Sequence, residues 1–395
     1  MRAKRILAEL EQERLLELLA PVHGSRLKAV MFAVDALLAG GRLSLSALGR
    51  SSVGPVAPKH CIKRIDRLLG NLRFHQDFKY FFRAVASVVV ARTGRPVVLV
   101  DWTKVCGGQY ALVAAVAADG RSLPFYLEVH PDSQLGNRKV QGAFLDRLGD
   151  LLPADCKPVI VSDAGFQCPW FEQVKAKGWS FVGRMSSHTY VQPNGQDQWT
   201  QVSKLYARAQ ENTQDLGKCS LAKTNPLPSV RVLLGKRFVR DMKRPPQKRG
   251  FRGRGRGSVR TSERAKQPWV LATNLFDTSM AEVVRIYSMR MQIEESFRDI
   301  KNHRFGWSFE DARTKNAGRA TALLVIGMLA TVIATGVGRA AEAAKVHHEY
   351  QANTVRHRRV ISHFVLGIAL ISRGEVGALP GLRSVSLFGN LLKLE

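Results

Sequence analysis

YSMRMQIEESFRDIK, Tyr287–Lys301, is the stretch from which the fold is read. It contains no proline and no glycine. Apolar residues recur at Ile286, Met289, Ile293, Phe297 and Ile300, a spacing that predicts a helix. At about 100° per residue, Tyr287, Arg290, Glu294 and Lys301 fall within about 60° of one another, on one edge of that helix beside the apolar stripe. Glu295 falls well away from them. One carboxylate, one tyrosine and two cations thus share a ridge between core and surface. Two readings fit. The ridge is a solvated face with ordinary ion pairs, or it is a metal ligand flanked by groups that grip a polyanion.

Two aspartates far upstream bear on that choice. VVLVDW is a short apolar run ending in an acid at Asp101, and PVIVSDAGF is a second ending at Asp163. Such an acid can cap the next helix or close a turn. It can also be functional, because open α/β sheets place their ligands at the carboxyl ends of strands. The neighbouring pattern predicts an α/β unit. QYALVAAVA and RSLPFYLEVH read as strands joined by a hairpin turn at Asp119-Gly120. Arg138 to Leu152 reads as a helix, Pro169 to Lys177 as another, and WSFVGRM as a strand.

Working outward, residues 1–92 read as all-helical. The N-terminus alternates charge and leucine as an amphipathic helix, not as a signal peptide. Arg26 to Ala39 is one apolar helix, and Ser44 is placed to cap a second, SLSALGR. Pro58 opens a third, PKHCIKRIDRLLGN, with Gly70 just past its end. Lys59, Lys63, Arg64 and Arg67 lie mostly opposite its apolar residues. Three short helices with a basic third resemble a helix-turn-helix arrangement; a solvated face is the other reading.

Residues 185–266 read as a β-rich insertion with many turn residues. Its tip is low in complexity, with 13 Lys and Arg between Lys236 and Lys266 against Asp241 and Glu263. QPWVLATNL, 267–275, returns to strand character. Its Trp269 is either core or a surface on which a nucleic-acid base stacks. The apolar run Ala320–Val337 is about as long as a membrane span, yet it contains Gly327, Gly336 and threonines, and it reads as a helix buried against a sheet. Residues 341–395 read as a helical region, a candidate for dimerisation. His347, His348, His357 and His363 show no metal-ligand spacing and read as surface.

Composition narrows the partners. The chain has 395 residues, 45% of them hydrophobic, enough for two or three folded domains. Its net charge of +28 favours a nucleic acid or another extended polyanion. Five scattered cysteines form no C-x-x-C pair, so neither a zinc site nor a disulfide framework is indicated, and a reducing cytoplasm fits.

Asp101, Asp163 and Glu294 then form a candidate carboxylate triad. Hard divalent ions such as Mg²⁺ seek carboxylate oxygens and retain water. Two such ions can clamp the attacking and leaving oxygens of a phosphodiester. Arg290 and Lys301 are placed to hold a nearby phosphate, the arginine through two hydrogen bonds at once.

These residues carry a resemblance. Tyr287, Arg290, Glu294 and Lys301, as Y-x2-R-x3-E-x6-K, resemble the signature of the insertion sequence 4 family of DDE transposases. LVDWTKV around Asp101, VSDAGFQCPWF around Asp163, QPWVLATNL, IYSMRMQIEESFRDIK and KHCIKRIDRLLGN are similar too, so the likeness runs from about residue 26 to 363.

The resemblance implies a ribonuclease-H-like α/β catalytic core, 93–184 and 267–340, interrupted by the β-rich insertion. A helical DNA-binding region precedes that core and a helical C-terminus follows it. It implies Asp101, Asp163 and Glu294 as ligands of two Mg²⁺ ions, with Mn²⁺ as a substitute, and Tyr287, Arg290 and Lys301 as phosphate contacts. It implies a nick at the transposon end, a hairpin intermediate, hairpin opening and strand transfer by the freed 3′-hydroxyl. Trp269 matches, by local context, a tryptophan that stacks with a base displaced from the hairpin. Some relatives carry a second tryptophan where this chain has Met291. The Arg-Gly tip at 249–257 matches nothing in the family pattern. The implied partners are double-stranded DNA, both terminal inverted repeats and target, and a second copy of the chain when two ends are paired. No membrane is implied, and the place of action is the bacterial cytoplasm, at the nucleoid. Two alternatives stand: a nuclease on the same core, and a catalytically silent DNA-binding regulator.

Overall fold

A computed structural model of the chain describes residues 17–379 apart from 53, 91–94, 237–266, 304, 305 and 353. Most of the N-terminal amphipathic stretch and the whole Arg-Gly tip therefore lie outside the described residues. The chain forms two compact units. Val159–Ser288 make one; the described residues up to Pro158 and from Met289 onward make the other.

The larger unit begins with helices α1 (Gly24–Leu38), α2 (Leu45–Arg50), α3 (Pro58–Leu69) and α4 (Leu72–Val89). Pro58 starts α3, where its missing N–H costs nothing. The helix buries Cys61, Ile65, Leu68 and Leu69 and leaves Lys59, Lys63, Arg64 and Arg67 exposed. Asn71 caps α4 by accepting from the N–H groups of Arg73 and Phe74. Ser44 precedes α2 as expected, but its side chain makes no capping hydrogen bond. Arg26 of α1 pairs with the buried Asp77 of α4 at 2.6 Å.

Three antiparallel strands follow, in the order β3-β2-β1: β1 (Val97–Lys104), β2 (Gln109–Ala117) and β3 (Ser122–Pro131). The Asp119-Gly120 turn joins β2 to β3, with Gly120 at φ 78°. Asp101 is opposite Val113. The apolar run predicts it at the end of its strand. It sits in the middle, because Trp102, Thr103 and Lys104 continue the ladder. α5 (Arg138–Gly149) comes next, capped by Asn137.

The smaller unit holds β4 (Val159–Ser162), α6 (Cys168–Ala176), β5 (Ser180–Arg184), β6 (Tyr190–Pro193), β7 (Thr200–Gln201), β8 (Gln214–Leu221), β9 (Leu227–Gly235), β10 (Trp269–Thr273) and α7 (Met280–Ser288). Its strands run β4-β5-β10-β9-β8-β6-β7. β4 and β5 are parallel, and β10 is antiparallel to both β5 and β9. β10 thus stitches the described strands of the insertion onto β4 and β5. The boundaries of the two compact units fall at 158/159 and 288/289.

The larger unit resumes with α8 (Met291–Lys301), α9 (Ala317–Ala343) and α10 (His363–Arg373). α9 is the core helix. Its most apolar window has a mean hydropathy of 2.2 and is 94% buried inside the protein, so its length and composition are those of a span but its surroundings are protein. α10 packs against it with almost no gap. A Cβ on Gly367 would meet the Ala334 carbonyl oxygen at 1.7 Å.

Two expectations are corrected. Tyr287–Lys301 is not one helix: α7 ends at Ser288, Met289 and Arg290 form a turn, and α8 starts at Met291. No glycine or proline marks the break. Each helix instead keeps to its own strands, α7 to β5 and α8 to β1, β2 and β3. Nor are the four histidines all surface. His348 and His357 are exposed, while His347 and His363 are 7% and 5% exposed.

Candidate active site

α8 is fastened to the three-strand sheet along its whole length. Gln292 accepts from the Ala118 N–H at 2.7 Å, Ser296 exchanges hydrogen bonds with Ser122, and Asp299 pairs with Arg121 at 2.6 Å. Burial pushes the Asp299 carboxyl up, and Arg121 opposes that shift. Ile293 is buried on the same side. This packing sets the depth of the helix against β1 and brings its polar edge to Asp101.

Arg290 is where the two elements meet chemically. Its guanidinium lies 2.6 Å from a Glu294 carboxylate oxygen and 3.8 Å from an Asp101 oxygen. Arg290 and Asp101 are 13% and 15% exposed, and Glu294 is 41% exposed. The i, i+4 spacing inside the sequence ridge therefore survives as a contact. At the far end of α8, Lys301 donates to the hydroxyl of Thr103 at 2.6 Å. Thr103 is two residues beyond Asp101 on β1, so both side chains leave the same face of the sheet. Burial lowers the hold of Lys301 on its proton, while Glu310 and Asp101 pull the other way. Glu294 and Lys301 also border an open depression of about 580 Å³ with Asn302, His303 and Glu310.

The structure thus brings Asp101, Arg290, Glu294 and Lys301 together within one unit. Two hard carboxylates drawn to one cationic group have the donor chemistry that Mg²⁺ or Mn²⁺ requires. Asp163 and Tyr287 belong to the other unit. Asp163 directly follows β4 and accepts from the Gly165 N–H at 2.8 Å, so it also closes a turn. Tyr287 lies near the end of α7, before the turn at Met289–Arg290. It is 3% exposed and its ring stands edge-on to Trp269, with centroids 4.8 Å apart. Trp269, the first residue of β10, is half-buried. Met291 is 37% exposed.

Sequence reasoning missed Thr103, whose partner is distant in the chain. It also missed a second group of ligand-type side chains, Asp119, Glu342 and His363, whose donor atoms all lie within 4.8 Å of one another. An arginine already serves that group: Arg359 pairs with Asp119 at 2.5 Å and with Glu342 at 3.0 Å. His363 bonds Glu342 at 2.5 Å. Burial alone would push the Glu342 carboxyl up, but His363 and Arg359 draw it down. Burial likewise lowers His363. This network fastens the start of α10 to the end of α9 and to the β2–β3 turn.

No curated protein matches the sequence. A cryo-EM structure of a piggyBac transposase synaptic complex with hairpin DNA aligns with 99% of this chain and 83% of that chain, at 9% identity and a TM-score of 0.42. A likeness that slight carries no argument about this chain. The family described as Transposase DDE domain matches residues 92–332, which is more than half of the chain and includes every residue of the site. The chain therefore belongs to the DDE transposase family, and in the broad sense that this membership gives it is a DNA transposase.

Proposed function

We propose that the protein is a cut-and-paste transposase of the insertion sequence 4 branch, of the transposon ten type, built on a ribonuclease-H-like core. The observation that carries this reading is the convergence of Asp101, Arg290, Glu294 and Lys301. A pair of carboxylates from β1 and α8 is flanked by two cations, which supports the reading.

Asp101 and Glu294 would hold Mg²⁺, two ions in all, with Mn²⁺ as a substitute. Asp163 joins them on the strength of the sequence likeness alone. When bound, such ions lower the proton affinity of the attacking oxygen and neutralise the leaving one. The chain's own residues do the rest. Arg290 offers a planar fork of donors that fits two oxygens of a phosphodiester. Lys301, steadied by Thr103, adds a point charge beside the same phosphate. Each step exchanges one P–O bond for another. Water cuts one strand and frees a 3′-hydroxyl. That hydroxyl attacks the opposite strand and closes a hairpin, water opens the hairpin, and the 3′-hydroxyl joins target DNA. The proton lost by each nucleophile is balanced by one gained at the leaving oxygen. Stacking of a displaced base on Trp269 is part of the same reading, with Tyr287 as the ring that fixes its tilt. A phosphate contact by Tyr287 rests on sequence likeness only.

DNA reaches the site by charge. The basic face of α3 carries Lys59, Lys63, Arg64 and Arg67; the last three border a groove of about 390 Å³ between α3 and α1, and this face would hold the end of the element. Two copies of the chain, each on one terminal inverted repeat, would pair the ends in the bacterial cytoplasm.

The test is a denaturing gel of a labelled duplex that carries the element's end beside unrelated flank, with purified protein and Mg²⁺. A nick at the end, then a hairpin, then joined product supports the transposase. A cut that never yields hairpin or joined product moves the reading to a nuclease. Binding without any cut moves it to a regulator.

A further inference from the structure

A second basic surface lies in the same unit as Asp101 and Glu294. A groove of about 750 Å³ runs between the start of α2 and the segment that leads into α9, lined among others by Ser44, Ser46, Arg313, Lys315 and Arg319. That segment is extended, with Ala312 at φ −73°, ψ 100° and Asn316 at φ −90°, ψ 122°. Extended backbone sends alternate side chains to opposite sides. Thr314 is half-buried, and Arg313 and Lys315 are exposed.

The segment is held in place by its neighbours. The Gln109 side chain donates to the Lys315 carbonyl at 2.9 Å. Gly107 lies at φ 70°, and a Cβ there would meet the Thr314 carbonyl oxygen at 2.5 Å. Only a residue without a side chain lets 314–315 lie this close to the turn after β1. The backbone that carries the two cations is therefore fixed before any ligand arrives, which spares binding the entropy of ordering that backbone.

Among the described residues their charge is not cancelled. Asp311 lies 3.6 Å from Arg42, and Arg319 pairs with Asp66 at 2.6 Å. Among the described residues Arg313 and Lys315 have no acidic partner. Two cations on an anchored backbone, about 6–7 Å apart where that backbone is extended and accompanied by two serine hydroxyls, match successive phosphates of one nucleic-acid strand. The turn that anchors them directly follows β1, the strand that carries Asp101.

We propose that this groove holds the sugar–phosphate backbone of the DNA next to the cleavage point, through Arg313 and Lys315 as contacts that ignore base sequence. The proposal rests on the transposase reading and names where its substrate runs. Each phosphate contact contributes about −0.9 to the slope of log K against log salt for duplex DNA.

The test is fluorescence anisotropy of the full-length chain with an end-bearing duplex and a random duplex across a KCl series. Wild type, R313Q/K315Q and the charge-keeping K315R are compared, with circular dichroism of each. The double variant is expected to fold, to lose affinity for both duplexes by the same factor, and to show a slope shallower by about 2. K315R is expected to keep the wild-type slope. A folded double variant with wild-type slope and affinity, beside a wild type that binds and cuts, overturns the groove alone. So does a loss confined to the end-bearing duplex, because that marks base readout. A wild type that binds neither duplex overturns the groove and the transposase reading together.

Discussion

At the scale of single residues, the site depends on how Arg290 is shared. Its fork meets Glu294 and Asp101, and a lysine cannot reproduce that geometry. Arg290→Lys is expected to keep the fold and to lose cleavage by roughly 10²-fold, the scale of one misplaced positioning group; single-turnover rates on the end-bearing duplex check this. Glu128 tests the electrostatics away from the site. Burial alone would raise its carboxyl, but hydrogen bonds from His130, Arg147 and Tyr126 bring it down to about 2 from an ordinary 4.5. A carboxyl lowered on folding stabilises the protein above its unfolded value and loses that contribution as pH falls through the folded one. Glu128→Gln is therefore expected to cost on the order of 2–3 kcal/mol at pH 7. The gap from wild type should close as pH falls from about 4.5 towards about 2; urea unfolding at both ends of that window measures it. Legibility at this scale follows distance along the chain. The Arg290–Glu294 pair is an i, i+4 contact, readable from spacing. Thr103 under Lys301 is not, because only the docking of α8 on β1 creates that bond. His363 reads as surface for the same reason. It follows the basic run at 356–359 closely in sequence, but its partner Glu342 comes from the end of α9.

At the scale of elements, most helices and strands of the larger unit lie within a few residues of where apolar spacing and turn residues put them. Two departures have physical causes. Asp101 sits inside β1 because the polar Trp102-Thr103-Lys104 tail still pairs with β2, which a reading based on the apolar run stops short of. The break at Met289–Arg290 has no glycine or proline to announce it, since it is imposed by what α7 and α8 each pack against. The buried helix, by contrast, is legible. α9 is apolar all round, as a helix surrounded by protein must be. Its closest contact makes a prediction. Gly367 lets α10 approach the Ala334 carbonyl, and Gly367→Ala puts a methyl group where that oxygen lies. Overpacking of this kind costs about 1–3 kcal/mol or more. A lowered melting temperature, with the far-ultraviolet spectrum unchanged in the cold, is the expected result.

At the scale of the whole molecule, charge is the most legible property. The formal net charge of +28 points to a polyanion as the partner before any motif is considered. Duplex affinity is accordingly expected to fall by about 10³–10⁵-fold between 50 and 200 mM salt, the behaviour of a protein that displaces counterions from 6–10 phosphates; anisotropy titrations read it directly. A slope near zero would contradict that expectation. The described strands of the β-rich insertion join β4 and β5 through β10. Composition separates it, but backbone hydrogen bonding, invisible in a string of polar and turn residues, joins it.

The central claim is that Asp101 and Glu294, rather than the other acidic group of the same unit, carry the chemistry. The measurement that tests it most directly is Mg²⁺-dependent cleavage of the end-bearing duplex by Asp101→Ala, Glu294→Ala and Asp119→Ala, each checked for folding. Loss of cleavage in the first two, with cutting retained in Asp119→Ala, is the predicted result. Cleavage that persists in a folded Glu294→Ala, or disappears in a folded Asp119→Ala, would contradict it.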